Sequence, residues 1–233
     1  MRVLVLAHNY PALPALIRNA LGEMGVHTDY VDDPEDMVVM ATEPYDLLLV
    51  VILSDPRVSL QRLIRALRKK GVSTPVVVLG PDTTQAEEIA ACYDAGGDGY
   101  LEGPKHASEL SAYMHAIVRR STGQIAPTVV IDDLEIDLRR KMVKKAGVLV
   151  DLTLSEYLTI EVLALRQGQV LSQSHVYFLT KGGDTADNCD AYNTVSVLLN
   201  RIRAKLGDRA PGRYIKTVRG LGLIIPLSSQ TFD

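Results

Sequence analysis

Short apolar runs alternate with amphipathic segments through the first half of the chain. The apolar runs predict strands over residues 2–6, 27–31, 46–53, 75–79 and 99–101. The segments between and after them predict helices over about residues 13–24, 36–42, 60–70, 85–94 and 107–120. Five strand–helix units in succession predict a doubly wound α/β domain, in which helices cover both faces of a five-stranded parallel sheet.

The pattern changes after residue 120. Residues 121–127 fit neither a helical nor a strand period and predict a linker. Residues 129–152 predict short strands, residues 155–166, 174–179 and 192–206 predict helices, and residues 214–218 and 222–226 predict a terminal strand pair. Thr153 or Ser155 is the expected N-cap of the first of these helices. We therefore expect a doubly wound domain over residues 1–120 and an α+β winged helix-turn-helix domain over residues 128–228.

Composition narrows the class of protein. The longest apolar run, residues 47–53, is too short to span a bilayer, and no basic and apolar leader opens the chain, so we expect a cytoplasmic protein with no membrane partner. Cys92 and Cys189 lie in different halves and form no Cys-x-x-Cys motif, which argues against a disulfide or a zinc site. The sequence has no nucleophile–base pair and no phosphate-binding glycine loop, so we predict no enzyme, no cofactor and no metal.

The net charge of −3 is unevenly distributed. Residues 1–120 contain 11 Lys/Arg and 16 Asp/Glu, a balance of −5, whereas residues 121–233 contain 14 and 12, a balance of +2. Between residues 191 and 220 a single acid, Asp208, accompanies seven basic residues: Arg201, Arg203, Lys205, Arg209, Arg213, Lys216 and Arg219. Such an excess favours a polyanionic partner, and a solvated basic surface is the alternative.

The helix predicted over residues 192–206 has two distinct faces. One stripe is apolar and predicts a core contact: Val195, Leu198, Leu199, Ile202 and Leu206. The opposite face mixes small residues with hydrogen-bond donors: Asn193, Val197, Asn200, Arg201 and Ala204, flanked by Thr194, Ser196, Arg203 and Lys205. Small side chains permit close approach to a major groove, while Arg and Asn can bond base edges. Arg219, at the turn of the terminal strands, can reach a minor groove or a phosphate. Double-stranded DNA is the expected partner, and a solvated amphipathic helix is the alternative.

Three segments of the second half resemble the effector domain of OmpR/PhoB-class response regulators: Leu-Thr-Leu-Ser-Glu-Tyr (152–157), Val-Ser-Val-Leu-Leu-Asn-Arg-Ile-Arg-Ala-Lys-Leu-Gly (195–207) and Ile-Lys-Thr-Val-Arg-Gly-Leu-Gly (215–222). The resemblance implies base contacts by Arg201, base or backbone contacts by Thr194, Asn200 and Arg203, and a wing contact by Arg219. It also implies that the stretch from Thr180 to Asp190 contacts RNA polymerase. Asn193, Ser196 and Leu198 replace residues that the family commonly has as Arg, Asp and His, so fewer phosphate contacts are expected.

The first half resembles the receiver domain of the same regulators through Arg-Val-Leu-Val-Leu (2–6), Tyr-Asp-Leu-Leu-Leu-Val (45–50), Thr-Pro-Val-Val-Val-Leu (74–79) and Ala-Gly-Gly-Asp-Gly-Tyr-Leu (95–101). Phosphoryl transfer there needs a carboxylate nucleophile, acids for Mg²⁺, a hydroxyl and a lysine. The resemblance places other residues at these positions, namely His8, Asn9, Val51, Gly80 and Gly103. We therefore predict a receiver without aspartyl phosphorylation. Asp55 as a substitute acceptor and His8 as a lone metal ligand are the alternatives.

The resemblance also implies pairing of two receivers through the fourth helix, fifth strand and fifth helix. The residues at interface positions are Asp98, Tyr100, Glu109, Tyr113 and Arg120. Because several charges expected there are missing, we hypothesise a more apolar homodimer that forms without phosphate, acting on promoter repeats or adjacent half-sites. Two alternatives stay open: a monomeric receiver kept as a folded cap, and a protein-interaction adaptor with weak, non-specific DNA binding.

Overall fold

The chain folds into two compact units, Met1–Ser121 and Thr122–Asp233. The structure is a computed structural model that describes residues 1–7, 13–52, 59–103, 106–124, 126–181, 188–208 and 212–227, with the side chains of 188–191 left out. Within these residues no helix combines the length and the apolar character needed to cross a bilayer.

The first unit is built from five strands and five helices in strict alternation. They are β1 (Arg2–Ala7), α1 (Ala15–Met24), β2 (His27–Val31), α2 (Pro34–Met40), β3 (Leu47–Val51), α3 (Leu60–Lys69), β4 (Val76–Gly80), α4 (Ala86–Asp94), β5 (Gly99–Glu102) and α5 (Ala107–Ser121). The strands form one parallel sheet in the order β2-β1-β3-β4-β5. Every residue of β3 is buried, as its unbroken apolar run requires of a central strand. The predicted doubly wound fold is confirmed.

The register of the sheet brings the ends of four strands together. Ala7 pairs with Val51, Val51 with Leu79, and Gly80 with Glu102. Because the strands are parallel, their carboxyl ends meet at one side, which we call the carboxyl edge. Residues that follow β1, β3, β4 and β5 are therefore neighbours in space, where open α/β sheets bind their ligands.

Two helices begin earlier in the chain than predicted. The second helix begins at Pro34, not at residue 36, because the Asp33 carboxylate accepts a hydrogen bond from the Glu35 amide (2.7 Å) and Pro34 occupies the first helical position. The helix predicted to begin at residue 192 begins at Asn188. The added residues contain neither Gly nor Pro, so nothing in them ends a helix.

The second unit has the order of a winged helix-turn-helix domain, as predicted. A four-stranded antiparallel sheet comprises β6 (Thr128–Ile131), β7 (Leu134–Asp137), β8 (Met142–Lys145) and β9 (Val148–Val150). Then follow α6 (Leu154–Leu165), α7 (Gln173–Lys181), α8 (Asn188–Leu206), β10 (Lys216–Val218) and β11 (Gly222–Ile224). We call β10, β11 and the turn between them the wing.

Local hydrogen bonds explain where two of these elements begin. Thr153, not Ser155, caps α6, since its hydroxyl accepts from the Glu156 amide while the Glu156 carboxylate accepts from the Thr153 amide. The first wing strand begins at Lys216, two residues later than predicted. The Asp208 carboxylate accepts the backbone N–H of both Arg213 and Tyr214, which satisfies that segment without a partner strand.

Candidate functional site

One side of α8 is embedded in the second unit. The predicted apolar stripe is buried throughout, with at most 7% of any side chain exposed: Val195, Leu198, Leu199, Ile202 and Leu206. It packs against α6 and α7. The stripe therefore fixes which side of α8 faces outward.

The outer face of α8 presents the residues proposed for DNA contact. Asn193, Val197, Asn200 and Arg201 are exposed, and Thr194 is half-buried. Within the part of the chain that the structure describes, Arg201 has neither a hydrogen bond nor an ion pair. A hydrated, unpaired guanidinium on a rigid helix can bind base edges or phosphate at little cost to the fold.

Arg203, also predicted to contact DNA, lies on a different side of the helix and has an internal role. Its guanidinium donates to the carbonyl oxygen of Ile215 (2.7 Å) and to the Thr217 hydroxyl (3.0 Å). Burial lowers the pKa of the Arg203 guanidinium, and the nearby Asp208 opposes that shift. These bonds join the end of α8 to the start of the wing, so Arg203 positions the site, and its contact with DNA stays a prediction.

Lys205 is likewise engaged within the unit. Its ammonium lies 2.7 Å from the buried carboxylate of Glu156, the residue that completes the α6 capping box. Burial alone raises the pKa of Glu156, but hydrogen bonds from Lys205 and Thr153 outweigh it, and the pKa is lowered. Lys205 therefore anchors α8 to α6, and its contact with DNA stays a prediction.

The wing is held against the domain at a close backbone approach. Leu171 and Leu223 exchange two backbone hydrogen bonds of 2.8 Å each. A Cβ atom on Gly222, whose φ is 148°, would overlap the Leu171 carbonyl, so glycine is required there. Arg219 stands exposed at the turn, without a bonded partner among the described residues.

A groove of about 370 Å³ separates α8 from the wing. Ser172, Gln173 and Ser174 at the start of α7 line one part, and Tyr192 lines the α8 side. The wing contributes Thr217, Val218, Gly220, Leu221 and Gly222. Tyr192 and Leu221 are 60% and 66% exposed, large values for apolar side chains. Hydroxyl groups and apolar surface together suit a sugar–phosphate backbone.

The stretch predicted to contact RNA polymerase is only partly described. Thr180 is buried at the end of α7, where its hydroxyl donates to the Val176 carbonyl (2.8 Å). Residues 182–187 lie outside the described residues, and Asn188 already belongs to α8.

The carboxyl edge of the first unit holds three of the five residues predicted to replace the phospho-acceptor chemistry. Val51 is 8% exposed at the end of β3, Gly80 ends β4, and Gly103 follows β5. A Cβ atom on Gly103 would overlap the Asp82 carboxylate, which occupies the adjacent space. His8, Asn9 and the alternative acceptor Asp55 lie outside the described residues. Among the described residues, no three His, Cys, Asp or Glu side chains are grouped closely enough to hold a metal ion.

The α4–β5–α5 face bears the residues predicted for a dimer interface. Glu109 and Arg120 are exposed on α5, and Tyr113 is half-buried. Asp98, however, pairs within its own unit, since its carboxylate lies 2.7 Å from the Arg68 guanidinium and accepts the Val76 amide at 2.8 Å. The Arg68 guanidinium therefore neutralises part of the Asp98 charge within the first unit.

Sequence reasoning missed the internal partners of several predicted residues. Arg68 holds Asp98, Thr84 bonds the Tyr100 phenol (2.7 Å), and Tyr93 accepts the Tyr100 amide (3.1 Å). Glu156, the partner of Lys205, was recognisable in part, because Thr-x-x-Glu signals a capping box. The other three have no local motif.

Comparison with known proteins finds a matching family model, similar curated proteins and similar solved structures. Residues 147–225 match the family model described as "Transcriptional regulatory protein, C terminal". The transcriptional activator protein IrlR of Burkholderia pseudomallei is 30% identical over 235 residues, which cover 99% of this chain and 98% of IrlR. The two-component response regulator PhoP of Pseudomonas aeruginosa is 33% identical over 88% of this chain and 89% of its own length. Among solved structures, the RstA DNA-binding domain of Klebsiella pneumoniae with the RstA box is 30% identical, covers 43% of this chain and 98% of that chain, and has a TM-score of 0.39.

Proposed function

Because the chain belongs to the OmpR/PhoB class of response regulators, which are DNA-binding transcription regulators, we propose that it binds specific double-stranded DNA sites through the outer face of α8 and the wing. It does so without phosphorylation of an aspartate, as a homodimer paired through the α4–β5–α5 face. The stretch from Thr180 to Asp190 contacts RNA polymerase.

The outer face of α8 is the observation that carries the DNA-binding proposal. Asn193, Val197, Asn200 and Arg201 are exposed together on a helix whose opposite side is packed into the core. Arg bonds guanine bidentately, Asn bonds adenine, and an apolar side chain contacts a thymine methyl group. The groove between α8 and the wing supports a path for one DNA backbone, which Ser172, Ser174 and Thr217 hydroxyls would contact.

An Arg201→Ala variant tests the DNA-binding proposal. Against a site selected from genomic fragments, fluorescence anisotropy should show a loss of about 1–3 kcal/mol in binding free energy and a relaxed preference at one base pair. Arg139→Ala is the matched control, since Arg139 is also an exposed arginine of the second unit but lies outside α8 and the wing. Undiminished specific binding by Arg201→Ala, or an equal loss in both variants, would contradict the assignment.

Independence from phosphate is supported by the side chains at the carboxyl edge. Val51 cannot form an acyl phosphate, Gly80 has no hydroxyl, and Gly103 has no amine. After incubation with acetyl phosphate and Mg²⁺, intact mass spectrometry should find no phosphoryl adduct, and DNA affinity should not change. A stable adduct accompanied by tighter DNA binding refutes this part of the proposal.

Homodimer formation is supported by the balance of charge and aromatic surface on the α4–β5–α5 face. Tyr93 is 46% exposed, and Tyr113 lies beside it, while the Asp98 charge is shared with Arg68. Aromatic residues are enriched in the cores of protein interfaces. Sedimentation velocity at micromolar concentration, without a phosphodonor, should show a dimer, and a strictly monomeric species opposes it.

A protein-interaction adaptor is the second candidate. It is favoured by the internal engagement of Arg203 and Lys205, which leaves fewer cations to neutralise DNA phosphates. A mobility-shift assay of the full chain against genomic fragments, with excess random competitor DNA, separates the two candidates. A fragment retained despite the competitor favours the regulator, and uniform loss of all fragments favours the adaptor.

A further inference from the structure

Helix α3 and the residues beside it contain most of the positive charge of the first unit. Residues 1–120 have a charge balance of −5, yet the segment between Asp55 and Asp82 contains no Asp or Glu. Six of the 11 Lys/Arg residues of the first 120 positions lie in it: Arg57, Arg62, Arg65, Arg68, Lys69 and Lys70. The basic charge of an acidic unit is therefore concentrated at one place.

The cations of α3 are arranged on the side opposite the core. The inner side of the helix is buried through three residues: Leu63, Ile64 and Leu67. Arg62, Arg65 and Lys69 are exposed directly opposite, within an arc of about 60° and over about 10 Å along the helix axis. We call these three residues the basic stripe.

The side chains of the basic stripe have no internal task. Counting the described residues alone, none of the three makes a hydrogen bond or an ion pair. Arg68, on the same helix, differs from them, since it donates to the carbonyl oxygens of Val72 and Thr74 (2.8 Å each) and pairs with Asp98. Arg68 stabilises the fold, whereas the basic stripe is available to a partner.

The position of the stripe is unfavourable for an isolated helix. Arg62 lies in the first turn of α3, where the macrodipole is positive, and that turn contains no acid to offset it. Arg65 lies three positions after Arg62 and four before Lys69, which are the spacings at which like charges on a helix repel. An anionic partner would relieve both effects.

The helices on either side of α3 are acidic. Glu35 and Asp36 are exposed on α2, Glu87 and Asp94 are exposed on α4, and α3 contacts both helices. Packed helices lie about 8–10 Å apart, so the stripe is a narrow cationic row bordered by carboxylates. A DNA duplex is uniformly anionic and its major groove alone is about 12 Å wide, so its phosphates would lie over these acids as well. The charge pattern therefore favours a protein over DNA.

We propose that the basic stripe is a docking surface for a partner protein, which it binds through a helix bearing a row of carboxylates. A single helix is narrow enough to follow α3, and acids seven positions apart, with one between them, match the spacing of the stripe. Cations beside that row would meet the acids of α2 and α4, and such complementarity gives specificity. The proposal does not depend on DNA binding by the second unit.

A defined helical peptide tests the proposal with the full chain. The peptide is alanine-based, carries Glu at positions i, i+3 and i+7, and has Lys on both sides of that row. Added to the ¹⁵N-labelled chain, it should shift the backbone amide resonances of α3, and added salt should weaken its binding. The triple variant Arg62→Gln, Arg65→Gln, Lys69→Gln should bind it about tenfold more weakly, as expected for the loss of three exposed ion pairs.

Two controls separate docking from net charge. The chain with Arg139→Gln, Arg140→Gln and Lys144→Gln also loses three exposed cations, all from the second unit, and should bind the peptide as the wild type does. A peptide of the same composition, with its Glu residues distributed around the helix, should bind more weakly than the patterned one. Equal binding of the two peptides, or an equal loss in the two triple variants, would reduce the effect to net charge and overturn the proposal.

Thermal unfolding distinguishes a docking role from a structural one. Because the triple variant of the stripe removes repulsion within α3, its melting temperature should equal or exceed that of the wild type. A clearly lower melting temperature would mean that the stripe stabilises the fold, which contradicts the proposal.

The remaining outcomes concern the partner. If the patterned peptide leaves the α3 resonances unchanged, the stripe is a solvated surface and the proposal fails. If a random-sequence DNA duplex shifts them and the peptide does not, the stripe binds nucleic acid and the proposed partner is wrong. A chain that binds no DNA at all would refute the proposed function of α8 and the wing, yet its α3 should still respond to the peptide.

Discussion

The outer face of α8 and the α4–β5–α5 face use their polar side chains in opposite ways. On α8, Asn200 and Arg201 are exposed and have no bonded partner among the described residues. On the α4–β5–α5 face, Asp98 and the Tyr100 phenol are bonded inside their own unit. Hydrated donors can be redirected to a ligand at little cost, whereas bonded groups fix geometry. The outer face of α8 is therefore suited to binding a polyanion, and the α4–β5–α5 face to presenting a surface of fixed geometry.

The same contrast occurs within one turn of α8. Arg201 and Arg203 are two positions apart, about 200° around the helix axis, so they cannot share a face. Arg201 points to solvent, whereas Arg203 bonds the Ile215 carbonyl and the Thr217 hydroxyl. The exposed basic charge of the second unit is therefore smaller than its sequence suggests.

Truncating one buried side chain of α8 should have the largest effect on the free energy of unfolding. Ile202 is fully buried, so Ile202→Ala should lower the free energy of unfolding of the second unit by about 2–5 kcal/mol in urea titrations followed by circular dichroism. Val197→Ala, an equally apolar change on the outer face, should cost less than about 0.5 kcal/mol. Equal losses in the two variants would mean that the two faces of α8 are assigned incorrectly.

The two arginines should separate stability from DNA binding. Arg203→Ala should lower the free energy of unfolding by about 1.5–3 kcal/mol, because it removes charged hydrogen bonds to the wing. Arg201→Ala should leave that free energy within about 0.5 kcal/mol of the wild type and affect DNA affinity alone. An Arg203→Ala protein of unchanged stability would show that its bonds do not hold the wing.

Patterns along the chain predicted the elements and the buried stripe of α8, because burial follows the helical and strand periods directly. They did not predict what Arg203 and Lys205 contact. Their partners, Ile215 and Glu156, lie 12 and 49 positions away, and a helical wheel contains no information about such neighbours. Arg203 was predicted as a DNA contact from the family resemblance, and Lys205 from its position beside the outer face of the helix.

Patterns along the chain also did not predict the role of a glycine at the carboxyl edge. In the sequence Gly80 is visible only as the loss of a hydroxyl group. In the structure its importance is the space it leaves, which Tyr100, twenty positions later, occupies. The sequence shows that a glycine lacks a reactive side chain. It does not show which side chain fills the space beside that glycine, because this depends on how the strands pair in the folded sheet.

Acid should weaken the anchor between α8 and α6. The pKa of Glu156 lies below its ordinary value of 4.5, so its ion pair stabilises the fold above that pH and is lost as the pH falls through the folded-state pKa. Glu156→Gln should therefore cost about 1 kcal/mol at neutral pH, and the difference from wild type should shrink as the pH falls from 4.5 through the folded-state pKa. Glu135→Gln, at an exposed carboxylate on β7, should show neither effect. A pH-independent difference would assign the loss to packing instead of charge.

The smallest effect should come from Arg120 on the α4–β5–α5 face. Because Arg68 already holds the Asp98 carboxylate at 2.7 Å, Arg120→Ala should weaken the proposed dimer by less than about 0.5 kcal/mol, within the range of exposed ion pairs. Arg68→Ala releases Asp98, so in that background the same Arg120 substitution should cost more, and sedimentation equilibrium on the four proteins measures the coupling. A large effect of Arg120→Ala in the wild-type background would mean that Asp98 reaches across the interface despite Arg68, and that charge, not aromatic surface, stabilises the proposed dimer.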